Sequence, residues 1–262
     1  MTYENILASV DEGIATISFN RPKALNALNS ALLGELSTAI DEIAGNHDVR
    51  VLVLTGTGDK AFVAGADIKE LSGLNALQGK VFAKKGHDVI NKIAALPIPV
   101  IAAVNGYALG GGLEMALACD FIYASENASV GLPETNLGLI PGFGGTQRLS
   151  RLIGPNLAKE LIYTGKIISA AQALSLGLVN QVFAPDALMD EVIATARILC
   201  AKGRVSLRAA KEAVANGLDT DLATGLKIEQ DAFALCMVSE DAKEGTQAFI
   251  EKRQAAFKGR LY

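Results

Sequence analysis

The sequence predicts an α/β layered fold that gives way to helices alone near residue 200, and three observations carry this. Segments of strand type recur between helical ones from Ile6 to Phe183. In mid-chain, a strand, a glycine-rich turn, a helix and a second strand follow one another from Val100 to Ala124, as α/β layers require. Beyond Pro185 only helical periodicity is left. With 262 residues, half of them apolar, the chain is long enough for one sizeable core and an appendage.

Ile6 to Val10 and Ile14 to Phe19 read as strands around the turn Asp11-Glu12-Gly13, an N-terminal hairpin. After Ser30, the residues Leu32, Leu33, Leu36, Ala39, Ile40 and Ile43 fall on one helical face, which ends near Gly45-Asn46. Val49 to Leu54 is an apolar strand entering the loop Thr55 to Gly58. Ala61 to Ala66 reads as more loop, and Asp67 is placed to cap a helix. A longer helix is expected over Lys80 to Leu96, stopped by Pro97 and Pro99. Val100 to Val104 is a strand, Gly111 to Ala118 an apolar helix and Phe121 to Ala124 a strand. Ser169 and Gln172 form a capping box for a helix over Ala170 to Leu176, which Gly177 ends, and Val179 to Phe183 is the last strand. Four helices then follow: Asp186 to Lys202, Val205 to Asn216, Leu222 to Met237, and one capped by Ser239 and running to Phe257. The expected organisation is a core over 1–200 and a helical region over 201–262.

Composition excludes several functions. The 24 basic and 28 acidic residues give a net charge of −4, which argues against a nucleic-acid partner, since that needs clustered positive charge. Cys119, Cys200 and Cys236 are odd in number and widely spaced, so neither a disulfide framework nor a CxxC site can be drawn. His47 and His87 are both expected on helices, with no ligand pair nearby, so no metal site or nucleophilic triad is expected. Met1 to Asn5 has no secretory pattern, and the apolar run Ile93 to Val104 is too short and too proline-broken for a membrane span. A soluble, cytoplasmic protein is the expectation.

The chemistry is concentrated in glycine-bearing loops. In Asn105-Gly-Tyr-Ala-Leu-Gly-Gly-Gly-Leu-Glu114 a strand ends, glycines follow and a helix begins, which lets a ligand approach unpaired N–H groups at the helix start. Neither this loop nor Gly142 to Gln147 holds a Walker lysine, and Gly110 to Met115 lacks the last glycine of a dinucleotide fingerprint. Taken alone, Glu114 reads as a dipole-complementing residue, although its neighbours Leu113, Met115 and Leu117 argue against a surface position. Glu134, between Pro133 and a glycine-rich stretch, reads alone as a turn residue. Ala61 to Lys69 is a second small-residue turn ahead of a helix.

Together these blocks resemble the crotonase superfamily, and within it the enoyl-CoA hydratases. The resemblance rests on Arg21-Pro-Lys-Ala-Leu-Asn-Ala-Leu28, Ala64-Gly-Ala-Asp-Ile68, Asn105 to Glu114, Pro133-Glu134 and Gly138 to Arg148. It extends to the tail ending Phe249-Ile-Glu-Lys-Arg253 and so spans nearly the whole chain. It implies a spiral of ββα turns followed by a C-terminal helical oligomerisation region that packs in trimers, often paired as hexamers. It also implies an oxyanion hole from the N–H groups of Ala66 and Gly111, with Glu114 and Glu134 as the acid/base pair. The implied reaction adds water to a trans-2-enoyl thioester, as in fatty-acid β-oxidation.

By the same resemblance, coenzyme A is part of the substrate and no separate cofactor is needed. Lys23, Ala24 and Leu25, together with Ala64, Ala66, Asp67, Ile68 and Lys69, are expected along its path, and Phe249 and Lys252 are expected to reach a neighbouring subunit's site. Lys23 and Lys252 read equally well as solvated surface charges. Two alternatives stay open here. One is a double-bond isomerase, which needs only one carboxylate, and the other is a non-catalytic acyl-CoA-binding subunit, which needs neither.

Overall fold

The structure, a computed structural model, describes residues 3–259. It opens on the antiparallel hairpin β1 (Ile6–Asp11) and β2 (Ile14–Phe19), which turns at Glu12 and Gly13 with φ of 47° and 82°. Positive φ at both central residues matches the right-handed twist of the flanking strands. Helix α1 (Ser30–Gly45) follows, its N-cap Asn29 accepting from the Leu32 N–H, and it buries the six side chains that the spacing placed on one face.

The chain then repeats one move, giving a strand to a large sheet, a strand to a small sheet, and then helix. First come β3 (Val51–Gly56) and β4 (Ala61–Val63), followed by α2 (Ile68–Leu71) and α3 (Ala76–Ala95). Next are β5 (Val100–Val104), β6 (Tyr107–Leu109) and α4 (Gly111–Ala116). Then come β7 (Phe121–Ser125), β8 (Ser129–Gly131), α5 (Gly145–Ile153) and α6 (Pro155–Thr164). The pair β9 (Ile168–Ser169) and β10 (Gln181–Phe183), with α7 (Ala170–Ser175) between them, completes both sheets. The large sheet runs β1-β2-β3-β5-β7-β10 and the small one β4-β6-β8-β9. Pairing is parallel from β2 to β10 and from β4 to β8, and antiparallel at the β1 and β9 edges. This is the expected spiral of ββα turns.

The central strands β3, β5 and β7 of the large sheet are buried on both faces, which is why they read as continuous apolar runs. Leu52, Leu54, Ala102 and Val104 face the main core with α1 and α3, whereas Val51, Val53, Ile101 and Ala103 face Leu188, Val192 and Ala196 of α8 (Leu188–Cys200). Beyond α8, the helices α9 (Arg204–Leu218) and α10 (Leu222–Met237) bury no residue fully and leave Val214, Leu218, Leu222 and Phe233 exposed.

Several sequence expectations need correction. Ala61 to Ala66 is not all loop, because Ala61 and Val63 pair with Tyr107 and Ala108. Helix α3 starts at Ala76 rather than Lys80, since Asn75 and Gln78 cap each other reciprocally. The final helix, α11 (Glu240–Ile250), ends well before Phe257; Glu251 caps it, and Lys252 turns to a φ of 55°. His47 sits in the turn after α1, not on a helix.

One buried polar residue ties the segment before α1 to the small sheet. Asn26 is fully buried with a φ of 58°. Its Oδ1 accepts from the Arg21 N–H at 2.9 Å, and its Nδ2 donates to the carbonyls of Ala61 at 2.8 Å and Thr57 at 3.2 Å. Asn26→Leu strands three backbone groups, each worth about 1–3 kcal/mol when left unpaired. A loss of about 3 kcal/mol or more is therefore expected, measured as a lower urea midpoint at unchanged slope.

Candidate active site

Three short elements and one loop converge on an apolar cavity of about 350 Å³: the turn between β4 and α2, the start of α4, the 3₁₀ turn Pro133–Leu137, and the loop 139–143. Its polar groups are few and specific. Leu28 forms a parallel bridge with Ala66, donating to the Gly65 carbonyl at 2.8 Å and accepting from the Asp67 N–H at 2.7 Å. That pattern uses the groups flanking Ala66 and leaves the Ala66 N–H on the side away from Leu28, and Ala66 itself lines the cavity. Gly111 is the first residue of α4, so its N–H has no partner within the helix. The close approach of α4 to β4 depends on the next residue: a Cβ on Gly112 would sit 2.0 Å from the Val63 carbonyl oxygen.

Glu114 lies in the first turn of α4 and is 1% exposed. Its Oε1 accepts from the N–H groups of Phe143 at 2.8 Å and Gly145 at 2.7 Å, which fixes the plane of the carboxyl. A Cβ at Gly145 would crowd the Glu114 Cγ and Oε1 at 3.0 Å and push on the carboxyl. Burial lifts the Glu114 pKa from 4.5 to about 7; the nearby Glu134 charge adds to this, while the two N–H donors and Arg148 oppose it.

Glu134 stands on the 3₁₀ turn that Pro133 opens and Gly138 closes at a φ of 71°. Thr135 Oγ1 donates to the Ile162 carbonyl at 2.8 Å, which pins the turn to α6. Burial also raises the Glu134 pKa, and its Oε2 is enclosed without a hydrogen-bond partner in the protein. Burial thus favours the protonated form of both carboxyls, and the Glu134 charge favours it further at Glu114.

A stability signature follows. Unfolded Glu114 ionises near 4.5 and folded Glu114 near 7. Its contribution is therefore fully present below about pH 4.5 and is lost as pH rises through 7, by on the order of a few kcal/mol. Thermal melts from pH 5 to 8 should show a fall that Glu114→Gln abolishes.

The structure gathers Ala64, Ala66, Ile68, Gly111, Glu114 and Glu134 around this one cavity. Lys23 and Leu25 instead line a separate depression of about 260 Å³ with residues 57–61. Ala24 ends the 3₁₀ turn Pro22–Ala24 and lines neither space. Asp67 pairs with Arg21 at 3.0 Å and caps α2, and the Arg21 hydrogen bond holds its carboxyl below the usual carboxylate range. Lys69 is exposed on α2. Phe249, on α11, and Lys252, just beyond it, are exposed and outside the cavity of their own chain.

The sequence reading missed the groups that hold Glu114, the N–H groups of Phe143 and Gly145, because a backbone donor leaves no side-chain signature. Among the described residues, no group of three His, Cys, Asp or Glu is placed to hold a metal ion, and no helix is long and apolar enough to cross a membrane.

Fold and site define the class, a spiral α/β enzyme with paired glutamates facing an apolar cavity. The chain belongs to the enoyl-CoA hydratase/isomerase family, whose model matches residues 9–260. It is 48% identical to the crotonyl-CoA hydratase of Syntrophomonas wolfei, over 98% of this chain and 99% of that one. It is 46% identical to the short-chain-enoyl-CoA hydratase of Clostridium acetobutylicum, over 99% of this chain and all of that one. The crystal structure of an enoyl-CoA hydratase from Bacillus anthracis superposes with a TM-score of 0.94 at 46% identity, covering 97% of this chain and 99% of that chain.

Proposed function

We infer that this protein is an enoyl-CoA hydratase, a hydro-lyase that adds water reversibly and syn to a trans-2-enoyl-CoA to give the 3-hydroxyacyl-CoA. The observation that carries this reading is the presence of two carboxyl groups, Glu114 and Glu134, on one apolar cavity that also receives the Ala66 and Gly111 backbone. An isomerase needs one carboxylate and a binding subunit needs none.

In this reading the thioester carbonyl accepts from the N–H groups of Ala66 and Gly111. Attack of water at Cβ pushes electrons through Cα onto the carbonyl oxygen, and the two donors stabilise the enolate that forms. Each such donor is worth about 10²–10³ in rate. Glu114, its carboxyl plane set by Phe143 and Gly145, orients the water and takes its proton. Glu134 delivers a proton to Cα. The reaction balances without a cofactor, because coenzyme A arrives on the substrate and leaves on the product.

The coenzyme A path is assigned to Lys23, Ala24 and Leu25 and to the stretch from Ala66 to Lys69. The exposed apolar side chains of α9 and α10 support a helical region, 201–262, that assembles trimers or pairs of trimers and brings Phe249 and Lys252 to a neighbour's site. A cytoplasmic location fits this substrate. The test is direct: purified protein is mixed with crotonyl-CoA and longer enoyl-CoAs, and the conjugated thioester absorbance is followed. Loss of absorbance is expected, and none at any chain length would sink the reading.

A further inference from the structure

Arg148, on α5, does not touch the cavity, yet it packs against the loop that holds Glu114. Its Nη1 donates to the Phe143 carbonyl at 3.3 Å, and its Nη2 donates to Asn91 Oδ1 of α3 at 2.8 Å. The guanidinium lies over Gly144, where φ is 108° and a Cβ would come 2.3 Å from Nη1. Phe143 is thus gripped from both ends of its backbone. Its N–H points to Glu114 and its carbonyl to an arginine anchored on another helix.

The charge pattern is equally specific. Arg148 is half-buried, and burial depresses its pKa. Among the described residues it has no ion-pair partner, and the carboxyl that favours its charge is Glu114. The charges acting on Glu114 are Glu134 from the 3₁₀ turn and Arg148 itself, and His87 from α3 lies against Gly144 beside the guanidinium. A surface arginine would avoid that desolvation. Here the cation is held behind a loop whose two N–H groups already point at the same carboxyl, so all three favour its ionised form.

We propose that Arg148 is a positioning residue for Glu114: it braces the Phe143–Gly145 loop against α3 and places a fixed positive charge behind the carboxyl. This rests on the hydratase reading for its effect on rate, but not for its effect on Glu114 ionisation. Arg148→Met should lower kcat for crotonyl-CoA about 10–100-fold, as small misplacement of a reacting group does, with KM within about threefold. The acid limb of the kcat profile should move to higher pH. Arg148→Lys keeps the charge but cannot span Phe143 and Asn91, so it should keep the limb in place and recover only part of the rate.

A second readout needs no turnover. Thermal unfolding of Arg148→Met should fall more steeply between pH 5 and 8 than that of the wild type, and adding Glu114→Gln should flatten it. An unchanged limb and an unchanged unfolding slope in Arg148→Met overturn the proposal even if the rate falls. Should that variant fail to fold, wild-type kcat in Arg148→Lys overturns it instead. A wild type without hydratase turnover sinks the functional reading, and the unfolding arm then still decides the role of Arg148.

Discussion

Glu114→Gln is expected to lower kcat for crotonyl-CoA hydration by about 10²–10⁴-fold while raising the melting temperature at pH 8. The two effects have one origin. Glutamine keeps an acceptor oxygen for the Phe143 and Gly145 N–H groups, so the loop geometry survives. It cannot take a proton from water. It also removes the cost of ionising a buried carboxyl whose pKa has been lifted to about 7. That cost is on the order of a few kcal/mol at pH 8, and for a chain of this size it corresponds to several degrees. Enzymes commonly hold such destabilising groups at the site where they act. Below about pH 4.5 both forms carry a neutral side chain and the stability difference should vanish. Steady-state kinetics and calorimetry on the same preparations check both halves. Near-wild-type turnover would remove Glu114 from the mechanism, and a melting temperature that falls at pH 8 would show that the carboxylate is not costly there.

How much of this was legible in the sequence follows from which interactions are local. Helix α1 was legible nearly to its ends, because Leu32, Leu36 and Ile43 repeat at helical spacing, although its cap Asn29 was not read from the sequence. The hairpin and the Ser169–Gln172 capping box were equally local. The small sheet was not. Strands β4, β6 and β8 have three residues each and exist only because they pair with partners more than 20 residues away. Nothing in the reading anticipated α5 and α6, although Thr135 leans on α6 and Arg148 rides on α5. The glutamates were visible only through the family resemblance, since each alone favoured a bland role. What converts Glu114 from a helix-start residue into a buried carboxyl is the loop at 142–145, about 30 residues downstream.

Glu134→Gln should cost a similar factor, but by a different step, and butyryl-CoA separates the two. This saturated thioester has no double bond to hydrate, yet the cavity should still exchange its Cα proton with solvent by forming the same enolate. With Glu134 as the group that serves Cα, exchange in deuterium oxide should fall about 10²–10⁴-fold in Glu134→Gln. It should survive far better in Glu114→Gln, where only the water-handling carboxyl is lost. Proton NMR of the Cα methylene reads both rates, and acyl-CoA binding should persist in both variants because the Ala66 and Gly111 backbone is untouched. The opposite pattern would exchange the two roles. For hydration itself, the double variant should be little slower than either single one, because removing either member of an acid/base pair that acts as a unit already disables it. Strict multiplication of the two losses would mean that the carboxyls act independently, contrary to the repulsion from Glu134 that helps lift the Glu114 pKa.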